Sequence, residues 1–131
     1  MGQRRFVILC VDDERVSLIV RSRVLEKAGF DVISAISAAD ALEKLNSCSA
    51  DRPIDIVLTD LVMPGMSGED LAREVKAQNP ALPVVLFSGV NELSPNVSCA
   101  DLFVSKLEGP DFLCDKISEI LRDTRHVPEA S

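Results

Sequence analysis

A five-stranded parallel α/β domain is predicted by two observations on the chain. Its apolar runs FVILCV (Phe6 to Val11), IDIVLT (Ile54 to Thr59) and PVVLFS (Pro83 to Ser88) are short and nearly continuous, as strands buried on both faces of a parallel sheet require. The segments between such runs carry helical spacing of apolar residues or helix-stop signals, so that strand and helix alternate five times. That alternation implies helices on both faces of one sheet, joined by right-handed crossovers.

The elements follow in order. After a polar start at Met1 to Arg5, the first strand stops abruptly at Asp12-Asp13-Glu14. From Arg15 to Ala28, Val16, Val20, Val24 and Ala28 recur at every fourth position with Ile19 and Leu25 beside them, and arginines fill the gaps; this predicts an amphipathic helix closed by Gly29. Asp31 to Ala35 reads as a strand, and Ser37 as the cap of a helix through Asn46 with Ala38, Ala41, Leu42 and Leu45 inward. A loop from Asn46 to Pro53 leads to the Ile54 to Thr59 strand, which runs into Asp60 and a loop containing Pro64, Gly65, Ser67 and Gly68. Leu71, Ala72 and Val75 mark the face of a helix from Glu69 to Gln78, halted by Asn79-Pro80. After the Pro83 to Ser88 strand, Asn91 to Ala100 contains Pro95, and any helix there is short or broken. Leu102 to Ser105 is a last strand ending at Lys106, and Pro110 opens a helix to about Arg122 with Phe112, Leu113, Ile117, Ile120 and Leu121 on its face.

At 131 residues and 47% hydrophobic, the chain is long enough for one domain with its own core. Residues 1–125 are read as that domain and residues 126–131 as a polar tail, which holds the single histidine, His126. A net charge of −7 argues against nucleic acid or an anionic membrane as main partner. Cys10, Cys48, Cys99 and Cys114 lack the spacing of zinc or redox pairs and read as free thiols of a reducing compartment. With no apolar run of about 20 residues and no signal-peptide core, the expected location is the cytoplasm.

Four strands end in side chains with chemistry: Asp12 and Asp13, Asp60, Ser88 and Lys106. Parallel strands present their carboxyl ends on one edge, so these groups should converge in one crevice. Three crowded carboxylates repel one another, and a hard divalent cation resolves the repulsion; Mg²⁺ suits such oxygen donors. Asp60 could then attack a phosphoryl donor as a nucleophile, with Lys106 and the Ser88 hydroxyl meeting the charge on the phosphoryl oxygens.

VDDE at Val11 to Glu14, TDLVMPGMSG at Thr59 to Gly68, FSG at Phe87 to Gly89 and FVSK at Phe103 to Lys106 together resemble the receiver domains of two-component response regulators. The resemblance implies a flavodoxin-like three-layer α/β/α sandwich with strand order 2-1-3-4-5. It implies Asp60 as phospho-acceptor, Asp13 as direct Mg²⁺ ligand, Asp12 as a water-mediated one, and the Val62 backbone carbonyl as a further ligand. Ser88 corresponds to the switch hydroxyl, Lys106 to the family's lysine, and Phe103 to the switch aromatic. The implied partners are a histidine kinase or phosphotransfer protein and a downstream protein target, and homodimerisation is left open. The chain would be a phospho-acceptor with chemistry on itself only, not an enzyme acting on an external substrate.

Two departures stand out. Leu107 follows Lys106 where receivers usually have proline, and only 17 residues separate Ser88 from Lys106, so that the fourth helix is expected to be short or irregular. Two other functions compete: a receiver-like interaction module that has lost phosphorylation, and a Mg²⁺-dependent phosphohydrolase with an aspartyl nucleophile. The intact Asp12, Asp13, Asp60, Ser88 and Lys106 count against the first. Val62, apolar where such a hydrolase would place its second acid, counts against the other.

Overall fold

A computed structural model describes residues 5–47, 53–89 and 100–125 of the chain. The elements are β1 (Val7–Val11), α1 (Arg15–Lys27), β2 (Asp31–Ala35), α2 (Ala38–Ser47), β3 (Ile56–Asp60), α3 (Gly68–Gln78), β4 (Val84–Ser88), β5 (Leu102–Ser105) and α4 (Pro110–Arg125). All strand pairs are parallel, in the order β2-β1-β3-β4-β5. The doubly wound order expected from the receiver resemblance is therefore the one observed.

Continuous apolar strands make sense here because the sheet has a core on each face. Val7, Leu9 and Val11 of β1, with Val57 and Val84, pack against Ala38 and Ala41 of α2 and Leu71, Ala72 and Val75 of α3. The alternate residues Ile8 and Cys10, with Ile56, Leu58, Val85 and Val104, pack against Leu18 and Leu25 of α1 and Leu113, Ile117 and Leu121 of α4. Successive side chains of a strand point to opposite faces, so a strand covered on both sides is apolar along its length except at its carboxyl end, where Thr59, Asp60 and Ser88 lie. The three layers follow directly.

Strand entry is fixed by side chains as well as by backbone ladders. The Val7 amide donates to Asp55 Oδ2 at 2.8 Å, and the Val84 amide donates to Asp101 Oδ2 at the same distance. Each acid precedes a neighbouring strand and satisfies an amide that the ladder leaves over. The third strand accordingly starts at Ile56, with Ile54 and Asp55 leading into it, and extends one residue further than the apolar run, to Asp60.

One helix face differs from the sequence expectation. Along α1 the every-fourth valines do not form the buried stripe: Val16 is 73% exposed, Ile19 and Val20 also face solvent, and the buried residues are Leu18 and Leu25. A strict four-residue repeat drifts around a helix of 3.6 residues per turn, whereas Leu18, Arg21 and Leu25 keep to one side. In α4, Phe112 is partly exposed while Leu113, Ile117 and Leu121 are buried, and the helix runs on to Arg125. Gly29 ends α1 at φ +105°, the left-handed conformation expected of its stop. Cys10 and Cys114 are free thiols as expected, whereas Cys48, Cys99, His126 and residues 91–99 of the weak fourth-helix segment lie outside the described residues.

Candidate functional site

The register of the strands assembles the site. Val11 of β1 lies opposite Thr59 of β3, so Asp12 and Asp60 follow side by side at the carboxyl edge. Asp60 pairs with Phe87 of β4, and Ser88 pairs with Ser105 of β5, bringing Ser88 and Lys106 to the same edge. The Lys106 amide donates to the Ser88 carbonyl at 2.7 Å, which fixes where the lysine leaves the sheet. β1 and β3 flank the point where the chain changes direction across the sheet, the usual crevice of such folds.

Asp12, Asp13 and Asp60 each offer a carboxylate oxygen, and these oxygens lie within 4.8 Å of one another. Asp12 and Asp60 are buried and Asp13 is exposed, so the cluster has a closed floor and an open rim. Lys106 Nζ lies 2.7 Å from Asp60 Oδ1, an ion pair across the crevice. The fully buried Ser88 hydroxyl, by contrast, has no hydrogen-bond partner among the described residues. A fully buried hydroxyl without a partner is unusual in a folded protein and marks a place prepared for another group. Burial pushes the Asp60 carboxyl above its ordinary range and the Asp12 charge adds to this, while the Lys106 ammonium pulls it down.

The loop behind Asp60 is tied to it. Thr59 Oγ1 donates to the Asp60 carbonyl, and the Gly68 amide donates to the Leu61 carbonyl at 2.8 Å, returning the chain to the sheet edge where α3 begins. Ser67 caps α3 by accepting from the Asp70 amide at 3.1 Å. Val62 is exposed on this loop. Phe103 is half-buried in β5 and, among the described residues, is not one of those packed into either core.

Arg21 is the participant that periodicity alone did not single out. Its guanidinium donates to Asp12 Oδ2 at 2.9 Å and lies 4.5 Å from the centroid of the Phe87 ring. The Asp12 carboxylate is thereby engaged at both oxygens, because Oδ1 accepts from the Glu14 amide at 3.0 Å. The signal was present in the sequence as an arginine at the centre of the Leu18, Leu25 stripe. Nearby, burial raises the Cys10 thiol to about 11 in spite of Arg21, so it remains a neutral thiol at neutral pH.

Beside the acids, a cleft of about 370 Å³ opens between α1 and the start of α4, with Val16, Val20, Phe87, Arg21 and Lys106 among its walls.

Fold and site together define a doubly wound domain with an acidic crevice closed by a lysine, at the carboxyl edge of its central strands. The pattern of the response regulator receiver domain matches residues 8–118, and the chain belongs to that family. A receiver domain of known structure from Clostridium thermocellum superposes with a TM-score of 0.85 at 27% identity, covering 94% of this chain and 99% of the other. The response regulator TrrA of Thermotoga maritima, solved in complex with Mg²⁺ and BeF, gives a TM-score of 0.80 at 27% identity over 88% of this chain and 98% of that one. Among curated relatives, a cyclic di-GMP phosphodiesterase of Thermotoga maritima is 28% identical over 88% of this chain, and the match spans 31% of that protein's length.

Proposed function

We propose that this receiver accepts a phosphoryl group on Asp60 in the presence of Mg²⁺ and passes the signal on by changing its protein contacts. The observation that carries this reading is the buried Ser88 hydroxyl, without a hydrogen-bond partner among the described residues, at the same edge as the buried Asp60 carboxylate that pairs with the Lys106 ammonium. The Asp60 carboxylate attacks phosphorus, the bond to the donor's leaving group breaks, and the donor leaves with that bond's electron pair. Lys106 neutralises the growing charge on one phosphoryl oxygen, and the Ser88 hydroxyl donates to another, gaining the hydrogen bond it otherwise lacks. Phe103, half-buried in the edge strand β5, can turn inward as Ser88 moves, which carries the change to the surface.

A hard cation with oxygen ligands suits this donor set, since three carboxylate oxygens already converge and nitrogen or sulfur donors are not among them. Asp13 and Asp60 would hold Mg²⁺ directly, Asp12 through water, and Val62 through its backbone carbonyl. The ion would supply positive charge against the phosphoryl oxygens. The Mg²⁺ and BeF reported for the Thermotoga maritima regulator favour the same assignment here. Incubation with acetyl phosphate and Mg²⁺, followed by intact-mass measurement, should give one phosphate adduct. Chelation of the metal should abolish it. No adduct would leave an interaction module without phosphorylation, and sustained release of phosphate from added esters would instead favour a hydrolase.

A histidine kinase or phosphotransfer protein is the proposed donor, and the exposed Val16 and Val20 at the cleft give it an apolar place to dock. Val20→Asp should slow uptake from a protein donor at least about tenfold while leaving uptake from acetyl phosphate unchanged. Equal slowing with both donors would sink the docking assignment. The match over residues 8–118 favours a receiver domain spanning 1–125. A cytoplasmic setting goes with this reading; among the described residues no helix is long and apolar enough to cross a membrane.

A further inference from the structure

We infer that Arg21 is an internal competitor of the divalent cation: its clamp on Asp12 sets how tightly the acidic crevice holds the metal. The inference rests on the proposed Mg²⁺ site and concerns a residue to which that reading gives no part.

Three observations carry it. Arg21 and Asp12 form a shielded pair, their side chains 11% and 3% exposed, with a 2.9 Å contact from the guanidinium to Oδ2. Solvent screens such a pair far less than a surface ion pair. The guanidinium is held from its other side by the Phe87 ring, 4.5 Å to the centroid, so it is positioned by packing as well as by charge. Finally, the Glu14 amide occupies Asp12 Oδ1. Asp12 therefore cannot give a free oxygen to a metal, or to a water on that metal, without sharing one of these partners.

Charge accounting gives the direction. Among the described residues, the three acids are opposed by two cations in contact with them, Arg21 on Asp12 and Lys106 on Asp60. Lys106 is 37% exposed, and Arg21 only 11%. Removing the shielded cation raises the negative potential at the crevice and frees Asp12 Oδ2, and both changes favour a divalent ion. The opposite sign would follow if Arg21 merely oriented Asp12 for the metal, because losing an orienting partner weakens a site. The two roles thus predict opposite shifts in affinity.

The test compares Mg²⁺ dissociation constants of the full chain and its Arg21→Leu variant by calorimetry, since the chain has no Trp or Tyr to serve as an intrinsic fluorescence reporter. Arg21→Leu should bind Mg²⁺ at least about tenfold more tightly, and its melting temperature, lower without metal, should rise more steeply with added Mg²⁺. Arg21→Lys, which keeps the charge on an apolar stem, should stay within about threefold of the unmodified protein and covers the case in which Arg21→Leu does not fold. Unchanged or weaker binding in Arg21→Leu, with Mg²⁺ still bound by the unmodified chain, overturns the inference and leaves the metal site standing. If the lysine variant alone folds, tenfold tighter binding by it overturns the charge argument. Absence of Mg²⁺ binding by the unmodified chain overturns the metal reading and the inference with it.

Discussion

Asp60→Asn is expected to raise the melting temperature of the metal-free protein by roughly 3–6 °C at neutral pH, while abolishing phosphoryl uptake from acetyl phosphate. Asp60 is a buried carboxylate that stands near Asp12, and its pKa lies above the ordinary 3.8, with burial the main cause. A raised folded-state pKa in an acid means that the folded chain holds the proton more tightly than the unfolded chain does. Stability from this group is therefore full at low pH and is lost as pH climbs from 3.8 through the raised value. Asparagine keeps the shape without the charge and escapes that loss. The Lys106 ammonium loses a partner but is partly exposed, so water compensates it. Thermal melts from acidic to neutral pH should show the two proteins converging at the acid end, with the variant ahead as pH rises. Saturating Mg²⁺ should narrow the gap by stabilising the unmodified protein. Equal melting temperatures at every pH would mean that the carboxylate carries no strain.

Much of this organisation was legible in the sequence because the two-sided sheet leaves few choices. Apolar runs such as Phe6 to Val11 need cover on both faces, and parallel strands bring their ends together whatever the intervening sequence. Asp12, Asp13, Asp60, Ser88 and Lys106 could therefore be grouped from strand ends alone, and the observed register brings them to one edge. Helix faces were less legible. Along α1, valines at every fourth position suggested a buried stripe, yet Leu18 and Leu25 are buried while Val16 and Val20 remain outside. Hydrophobicity could not distinguish the two stripes, since both are apolar. What decides between them is tertiary: Arg21 reaches Asp12 and Phe87 only when the leucine face turns inward. An arginine on a buried face is costly without a counter-charge, and the acids at the end of β1 provide one. The half-buried side of Phe103 was equally hidden, because a strand at the sheet edge is covered by whatever packs beside it and not by its own pattern.

Gly68→Ala should destabilise the protein by about 2–4 kcal/mol and reduce phosphoryl uptake, although alanine is the better helix former. Gly68 is the first residue of α3, and its backbone conformation is one that any residue could adopt. Space is the constraint. A Cβ there would overlap the Asp60 carbonyl oxygen and approach the Asp60 carbonyl carbon and Leu61 Cα at 3.0 Å. Both neighbours are backbone and cannot rotate away as a flexible side chain would. The Asp60 carbonyl also accepts from Thr59, and the Gly68 amide is bound to Leu61, so relief must come from displacing the end of β3 or the start of α3. Either movement shifts the carboxylate against Lys106 and Ser88, where displacement of about 1 Å can cost on the order of a hundredfold in rate. Gly65, a few residues earlier in the same loop, separates space from conformation. Its φ is +78° and nothing lies within 4 Å of a Cβ placed on it, so Gly65→Ala should cost only about 1–2 kcal/mol of backbone strain. Denaturant unfolding of both variants, read with acetyl phosphate uptake, tests the distinction: the larger stability loss and the slower uptake should both belong to Gly68→Ala. Reversal of that order would mean that α3 is not held against Asp60 by the missing side chain.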